Sequence, residues 1–114
     1  IFKLIGKHMP PPAGVKSPAL WGTRARLDEM FGLQASSISA VPRDFMFRYR
    51  SAQHWIDVFK TYYGPVLKTL AALPPDGQKA LLADIEALIG RLNLAKDGTM
   101  VVPGEYLEVV IVKR

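Results

Sequence analysis

The sequence predicts an α+β fold, because segments with helical periodicity alternate with two segments of strand-like pattern. Apolar residues recur at three- and four-residue spacing between Ser51 and Leu73, which is typical of an amphipathic helix. Side chains alternate with period two over Phe45–Arg50, and β-branched residues dominate Tyr106–Val112. The predicted order is helix, helix, strand, helix, helix, strand.

The first part of the chain predicts short helical pieces separated by loops. Ile1–His8 has the pattern of the last two turns of a helix, which Pro10 ends. Ser17 caps a single turn that begins with Pro18 and reaches Trp21. A second short helix starts at a Thr23 cap and stops at Gly32, and its apolar face carries Leu27, Met30 and Phe31.

The middle of the chain predicts a strand followed by a long helix. The strand covers Ile38–Tyr49, and Pro42 marks an edge position or a bulge within it. Ser51 caps a helix that runs to Leu73, and Pro65 should kink this helix because it removes one backbone donor.

The last part predicts a second long helix and a final strand. We expect Asp76 to be the N-cap of a helix that fades at Asn93. Lys96–Thr99 is a turn signal with glycine at its third position. The strand over Tyr106–Val112 follows Pro103-Gly104.

The length and composition limit the classes of protein to which this chain can belong. A chain of 114 residues with 49% hydrophobic and 22% charged residues predicts one small globular domain. The absence of cysteine excludes disulfides and thiolate chemistry, and we expect a reducing, cytoplasmic location. No apolar run approaches the ~20 residues that span a bilayer, so we expect no membrane partner. The net charge of +5 comes from scattered lysines and arginines, which favours a solvated surface over nucleic-acid binding.

Most motifs that carry chemistry are missing from the sequence. The nine glycines are too far apart for a dinucleotide fingerprint or a P-loop. His8 and His54 are far apart in sequence with no second ligand beside them, so no metal site is expected. As a general base, either histidine would need a partner that the sequence does not name. We therefore predict no catalytic, cofactor-binding or metal-binding residue in this chain.

One aromatic cluster is the best functional candidate. Trp55, Phe59, Tyr62 and Tyr63 fall within nine residues of one predicted helix. Such stripes usually form hydrophobic core, and we expect this of Phe59. Four aromatic residues cover more of the helix surface than one buried stripe needs, however. Either Tyr62 or Tyr63 must therefore face away from the core and could line a pocket.

Three segments, taken in order, suggest a family. They are Pro10–Gly22 (PPPAGVKSPALWG), Arg43–Ser51 (RDFMFRYRS) and Tyr62–Pro65 (YYGP). In this order they resemble the C-terminal half of small class I S-adenosylmethionine (SAM)-dependent methyltransferases, the type-11 kind related to quinone-biosynthesis enzymes. The resemblance covers essentially the whole chain. The glycine-rich turn and the ribose-binding acidic residue of that family are absent.

The resemblance implies an α/β parent fold with a seven-stranded sheet, mostly parallel, whose last strand is antiparallel. This chain would supply the sixth and seventh strands, around Phe45–Arg50 and Glu105–Lys113. Residues 1–114 would form a single domain, a C-terminal fragment without the SAM-binding half. The parent would transfer a methyl group from SAM to a small apolar acceptor, largely by proximity and orientation. The fragment alone would be inactive and bind no cofactor.

The resemblance also suggests which residues line the acceptor pocket. In that family the aromatic helix lies over the active-site mouth, so Trp55, Phe59, Tyr62 and Tyr63 become pocket candidates. The loop that contains Trp21 would lie near the acceptor side, which adds Trp21 to these candidates.

Two further expectations concern partners. The final strand would lose one neighbour in the fragment, and an exposed edge of this kind favours a homodimer through the C-terminal strand or through an uncovered apolar face. The alternative to a methyltransferase fragment, from a different functional class, is a non-enzymatic α+β module for interaction or self-association. A basic nucleic-acid-binding domain is the third hypothesis.

Overall fold

The computed structural model describes residues 1–114 and contains five α-helices, one short 3-10 helix and two strands. The helices are α1 (Phe2–His8), α2 (Arg24–Phe31), α3 (Ala52–Tyr62), α4 (Gly64–Ala72) and α5 (Pro75–Leu92), and the 3-10 helix is Pro18–Gly22. The strands β1 (Ala35–Tyr49) and β2 (Met100–Lys113) pair as an antiparallel two-stranded sheet. The predicted α+β class and the two antiparallel strands are confirmed.

The chain divides into two compact units. The first unit comprises residues 1–13 and 46–103, and the second comprises residues 14–45 and 104–114.

The core of the first unit lies between α3, α4, α5 and the first residues of β2. Helix α5 buries Leu81, Ile85 and Ile89, whose four-residue spacing places them on one face. The helix α1 packs against α4 and α5. The remaining buried core residues are Trp55, Ile56, Val66, Met100 and Val102.

The predicted helix between Ser51 and Leu73 is two helices, and the expectation of a single kinked helix was wrong. The chain breaks at Tyr63, which is extended with φ −91° and ψ 105°. Pro65 lies in the first turn of α4, where a missing backbone donor costs no helical hydrogen bond. The Tyr63 amide still donates to the Phe59 carbonyl at 3.0 Å, and its own carbonyl accepts from Leu67 at 3.0 Å. Tyr63 thus ends one helix and caps the next.

Helix α5 also begins earlier than expected. Its N-cap is Pro74 rather than Asp76, and Pro75 is the first helical residue. Proline has the φ that a first helical turn requires and loses nothing there by lacking an N–H group. Asp76 instead lies in the first turn, where its negative charge is favourable beside the helix dipole.

Both strands are longer than predicted. β2 starts at Met100 rather than Tyr106, and it passes through Pro103. Met100 and Val102 are buried on alternate positions, so their side chains hold this segment as a strand. A two-stranded sheet leaves each strand with an unpaired edge, where a proline can be accommodated. The preceding turn is confirmed, because the Asp97 side chain accepts from the Thr99 amide at 3.0 Å.

The second unit contains the 3-10 helix, α2 and the far part of the strand pair. The predicted caps are present: Ser17 accepts from the Ala19 amide and Thr23 accepts from the Arg26 amide, each at 3.3 Å. Leu27 is the buried residue of α2. The Ser36 hydroxyl donates to the Val112 carbonyl at 3.1 Å and so joins the two strands here.

Candidate functional site

The first unit contains a mostly apolar cavity of about 420 Å³. This volume falls in the range of ~300–1,000 Å³ that is usual for small-molecule sites. Its walls come from α3, α5, both strands and the start of the chain. The lining residues are Ile1, Phe47, Trp55, Phe59, Tyr63, Ile85, Leu88, Ile89, Leu92, Met100, Val102 and Pro103.

Aromatic rings form one wall of this cavity. Trp55, Phe59 and Tyr63 are spaced by four residues, which places them one above the other on α3 and its C-cap. The rings of Trp55 and Phe59 stack with centroids 3.8 Å apart, and those of Phe59 and Tyr63 are 4.9 Å apart. Phe47 of β1 meets Phe59 edge-on at 6.4 Å. The result is a cluster of four contacting rings that forms an apolar wall of the cavity.

The cavity has very few polar groups. None of its lining side chains is charged, so none of them can form an ion pair with a charged ligand. The polar groups of the lining side chains are the Tyr63 hydroxyl and the indole N–H of Trp55. Trp55 is 7% exposed, and its Nε1 is buried without a hydrogen-bond partner.

Three of the five predicted pocket residues meet in the cavity. They are Trp55, Phe59 and Tyr63. Tyr62 is 81% exposed and does not line it. Trp21 lies in the second unit, where it is exposed and its ring is 6.5 Å from that of Phe31.

Phe47 is not among the pocket residues predicted from the sequence. Phe47 is half-buried and lines the cavity while also packing against core residues. The cavity-lining residues of α5 recur at three- and four-residue spacing, which does not distinguish a cavity wall from core. Whether Phe47 and the apolar residues of α5 line a cavity depends on how the helices and strands pack. The residue spacing within one element does not indicate this.

His8 has the acidic partner that the sequence did not name. Its Nε2 lies 2.8 Å from Asp84 Oδ2, and the Lys7 ammonium donates to the same oxygen at 2.8 Å. The Lys7 hydrogen bond, and then the His8 contact, lower the pKa of Asp84 below its ordinary value. These contacts fasten α1 to α5 and lie away from the lining of the aromatic cavity.

The other histidine, His54, is half-buried. His54 Nδ1 lies 3.4 Å from the Arg50 amide, and its ring meets Tyr49 edge-on at 5.5 Å. No group of three histidine or acidic side chains is arranged to hold a metal ion. The His54 amide donates to Ser51 Oγ at 3.0 Å, a contact that caps α3.

Comparisons with known proteins supply no site residues for this chain. No protein-family model matches the sequence, and no curated protein matches it significantly. No helix is both long and apolar enough to cross a lipid bilayer. The aromatic cavity is therefore the candidate site on its geometry and chemistry alone.

Proposed function

We propose that this chain is the acceptor-side, C-terminal portion of a class I SAM-dependent methyltransferase of the type-11 kind. Its acceptor is a small apolar molecule. One observation carries the proposal: an aromatic cavity without charged side chains is built on the helix that resembles the family's active-site cover. Trp55, Phe59 and Tyr63 supply its aromatic wall.

The arrangement of the strands also supports this proposal. The antiparallel pair of β1 and β2 agrees with the sixth and seventh strands that the resemblance implies. The remaining five strands of the seven-stranded sheet, and the SAM site, belong in this proposal to a preceding half of a longer protein.

The chain's own residues act by binding and orienting the acceptor. SAM supplies an activated methyl group when bound by the preceding half. The rings of Trp55, Phe59 and Tyr63 hold the acceptor against one aromatic wall, and the apolar wall from α5 keeps water away from it. Orientation of this kind can supply a large part of a rate enhancement, so the mechanism requires no general base from this chain.

The acceptor role is tested in the longer protein that contains this chain. It is incubated with SAM labelled in its methyl group and a panel of small neutral aromatic acceptors, and labelled product is counted. For a methylated panel member, we expect Tyr63→Ala to raise KM several-fold. Tyr62→Ala is the matched control and should leave KM unchanged, because Tyr62 lies outside the cavity. Equal KM values for the parent protein, Tyr63→Ala and Tyr62→Ala would show that the cavity does not bind the acceptor.

A second candidate function is self-association. In the second unit, β2 exposes Tyr106, Val110 and Val112 by about half each. An apolar strand with an unpaired edge favours pairing with another chain. A non-enzymatic interaction module is therefore the alternative, and it makes a separate prediction about assembly.

A further inference from the structure

Another cavity in the first unit, open to solvent and of about 450 Å³, lies where the end of β1 meets the start of α3 and the start of β2. Arg48, Arg50 and His54 line it, and no acidic residue does. The remaining lining residues are Tyr49, Thr99, Met100 and Val101. Two arginines therefore border one cavity whose lining contains no carboxylate.

These two arginines lack the partners that most arginines of this chain have. Of the seven arginines in the sequence, four contact a carboxylate or a backbone carbonyl, namely Arg24, Arg26, Arg43 and Arg114. The guanidinium groups of Arg48 and Arg50 take part in no ion pair or hydrogen bond of the structure. Like charges beside one cavity repel each other, and an anion bound between them relieves this repulsion.

His54 supplies a third donor to the same cavity. Its Nδ1 accepts from the Arg50 amide at 3.4 Å, which places the proton of the neutral ring on Nε2. Nε2 has no partner within the chain and is not among the buried unpaired atoms, so it is accessible to solvent. Two guanidinium groups and one ring N–H are thus free to donate to a ligand with several acceptor oxygens.

We propose that this cavity binds the phosphate group of a small soluble phosphate monoester, through the guanidinium groups of Arg48 and Arg50 and the Nε2–H of His54. A phosphate monoester has a charge of about −1.5 to −2 near neutral pH and three strong acceptor oxygens. The planar fork of arginine matches such oxygens in pairs. The inference concerns a separate cavity from the aromatic one and does not depend on the proposed function.

The charges around the cavity favour a small ligand over a nucleic acid or a membrane. Surfaces that bind these macromolecules present a stripe or patch of many cations. Here two acidic residues lie close to the lining in sequence, Asp57 one turn after His54 and Asp97 two positions before Thr99. Asp57 pairs with Lys60 at 2.6 Å, and Asp97 accepts from the Thr99 hydroxyl at 2.6 Å. Neither acid occupies the arginines, but both interrupt any wider basic surface.

Calorimetric titration of phenyl phosphate into the 114-residue chain at low ionic strength tests the inference. We expect one-to-one binding, and Arg48→Gln and Arg50→Gln should each raise the dissociation constant about tenfold, as the loss of a hydrogen bond between charged groups implies. Arg91→Gln is the matched control, because Arg91 is also exposed and unpaired but lies outside this cavity. It removes the same charge and should change the dissociation constant little. Phenyl sulfate, which has a single negative charge, should bind less tightly than phenyl phosphate.

A spectroscopic measurement locates the binding site independently. In proton–nitrogen correlation spectra, phenyl phosphate should shift the Nε–H signals of Arg48 and Arg50 and leave that of Arg91 in place. If a variant fails to fold, these shifts in the parent chain decide the question.

The inference is overturned if phenyl phosphate does not bind, if the three variants weaken binding equally, or if phenyl sulfate binds as tightly. Binding of single-stranded DNA or of anionic vesicles without binding of phenyl phosphate would also overturn it, in favour of a macromolecular ligand. Each of these results leaves the methyltransferase proposal standing, because SAM binding by the longer protein is measured separately.

Discussion

The indole of Trp55 stacks on the ring of Phe59, one helical turn away on α3, with centroids 3.8 Å apart and planes inclined by 19°. Isolated aromatic pairs prefer offset or edge-on arrangements to such close parallel stacking. The rings of Phe47 and Tyr63 also contact Phe59, with centroids 6.4 and 4.9 Å from its own. Phe59 is therefore the centre of the aromatic wall, and both stability and ligand binding should depend on it.

Replacing Phe59 by alanine should destabilise the chain markedly. The substitution removes a ring that contacts four other aromatic side chains, and we expect a loss of about 2–4 kcal/mol in the free energy of unfolding. Tyr62→Ala is the matched control on the same helix. Because Tyr62 is 81% exposed, its replacement should change stability by no more than about 0.5 kcal/mol. Urea denaturation followed by circular dichroism measures both, and equal losses would show that Phe59 is not central to the packing.

The contact of Asp84 with Lys7 and His8 should make stability depend on acid pH. These partners lower the pKa of Asp84 in the folded chain, from an ordinary value of 3.8. A lowered folded pKa means that the contribution is present above the unfolded pKa and is lost as pH falls through the folded value. We therefore expect Asp84→Asn to be less stable than the parent chain near neutral pH, and this difference to shrink steadily below about pH 4.

Glu86→Gln serves as the control for that measurement. Glu86 is exposed on the same helix and takes part in none of the ion pairs of the structure. The free energies of unfolding of Glu86→Gln and of the parent chain should differ little at every pH. A difference between Asp84→Asn and the parent chain that persists unchanged at pH ~2.5 would contradict a role for the Asp84 charge.

Local signals predicted many of the element ends, and tertiary packing decided the rest. The caps at Ser17, Thr23 and Ser51 were predictable, since each side chain accepts a hydrogen bond from an amide two or three residues later. The helix break at Tyr63 was not, because a proline is compatible with either a kink or a new first turn. That choice also decides which tyrosine faces the cavity. Periodicity alone left Tyr62 and Tyr63 as alternatives.

The cavity itself was predictable only in part. The aromatic spacing indicated Trp55 and Phe59 as neighbours on one face, and they are. The contributions of Phe47 and Met100 depend on where the strands meet the helices, which is long-range information. Likewise, Asp84, the acidic partner of His8, lies 76 positions away in the sequence. The residue pattern of its helix indicates only which face is apolar.

The assembly prediction follows from the exposed part of β2. Tyr106, Val110 and Val112 are each about half exposed in the second unit, beside an unpaired strand edge. We expect the 114-residue chain to form a dimer or a higher assembly at micromolar concentration. Sedimentation velocity measures this, and Val110→Lys should shift the chain toward monomer by placing a charge at the edge. A well-folded monomer at high micromolar concentration would rule out this mode of association.

The central claim is that this chain contributes the acceptor side, and not the SAM site, of a methyltransferase. Calorimetric titration of SAM into the 114-residue chain and into the longer protein that contains it tests this most directly. The account predicts a one-to-one complex with the longer protein and no binding to the chain alone, because the chain has no glycine-rich turn after a strand. A one-to-one complex of micromolar affinity with the isolated chain, or no binding by the longer protein, would contradict it.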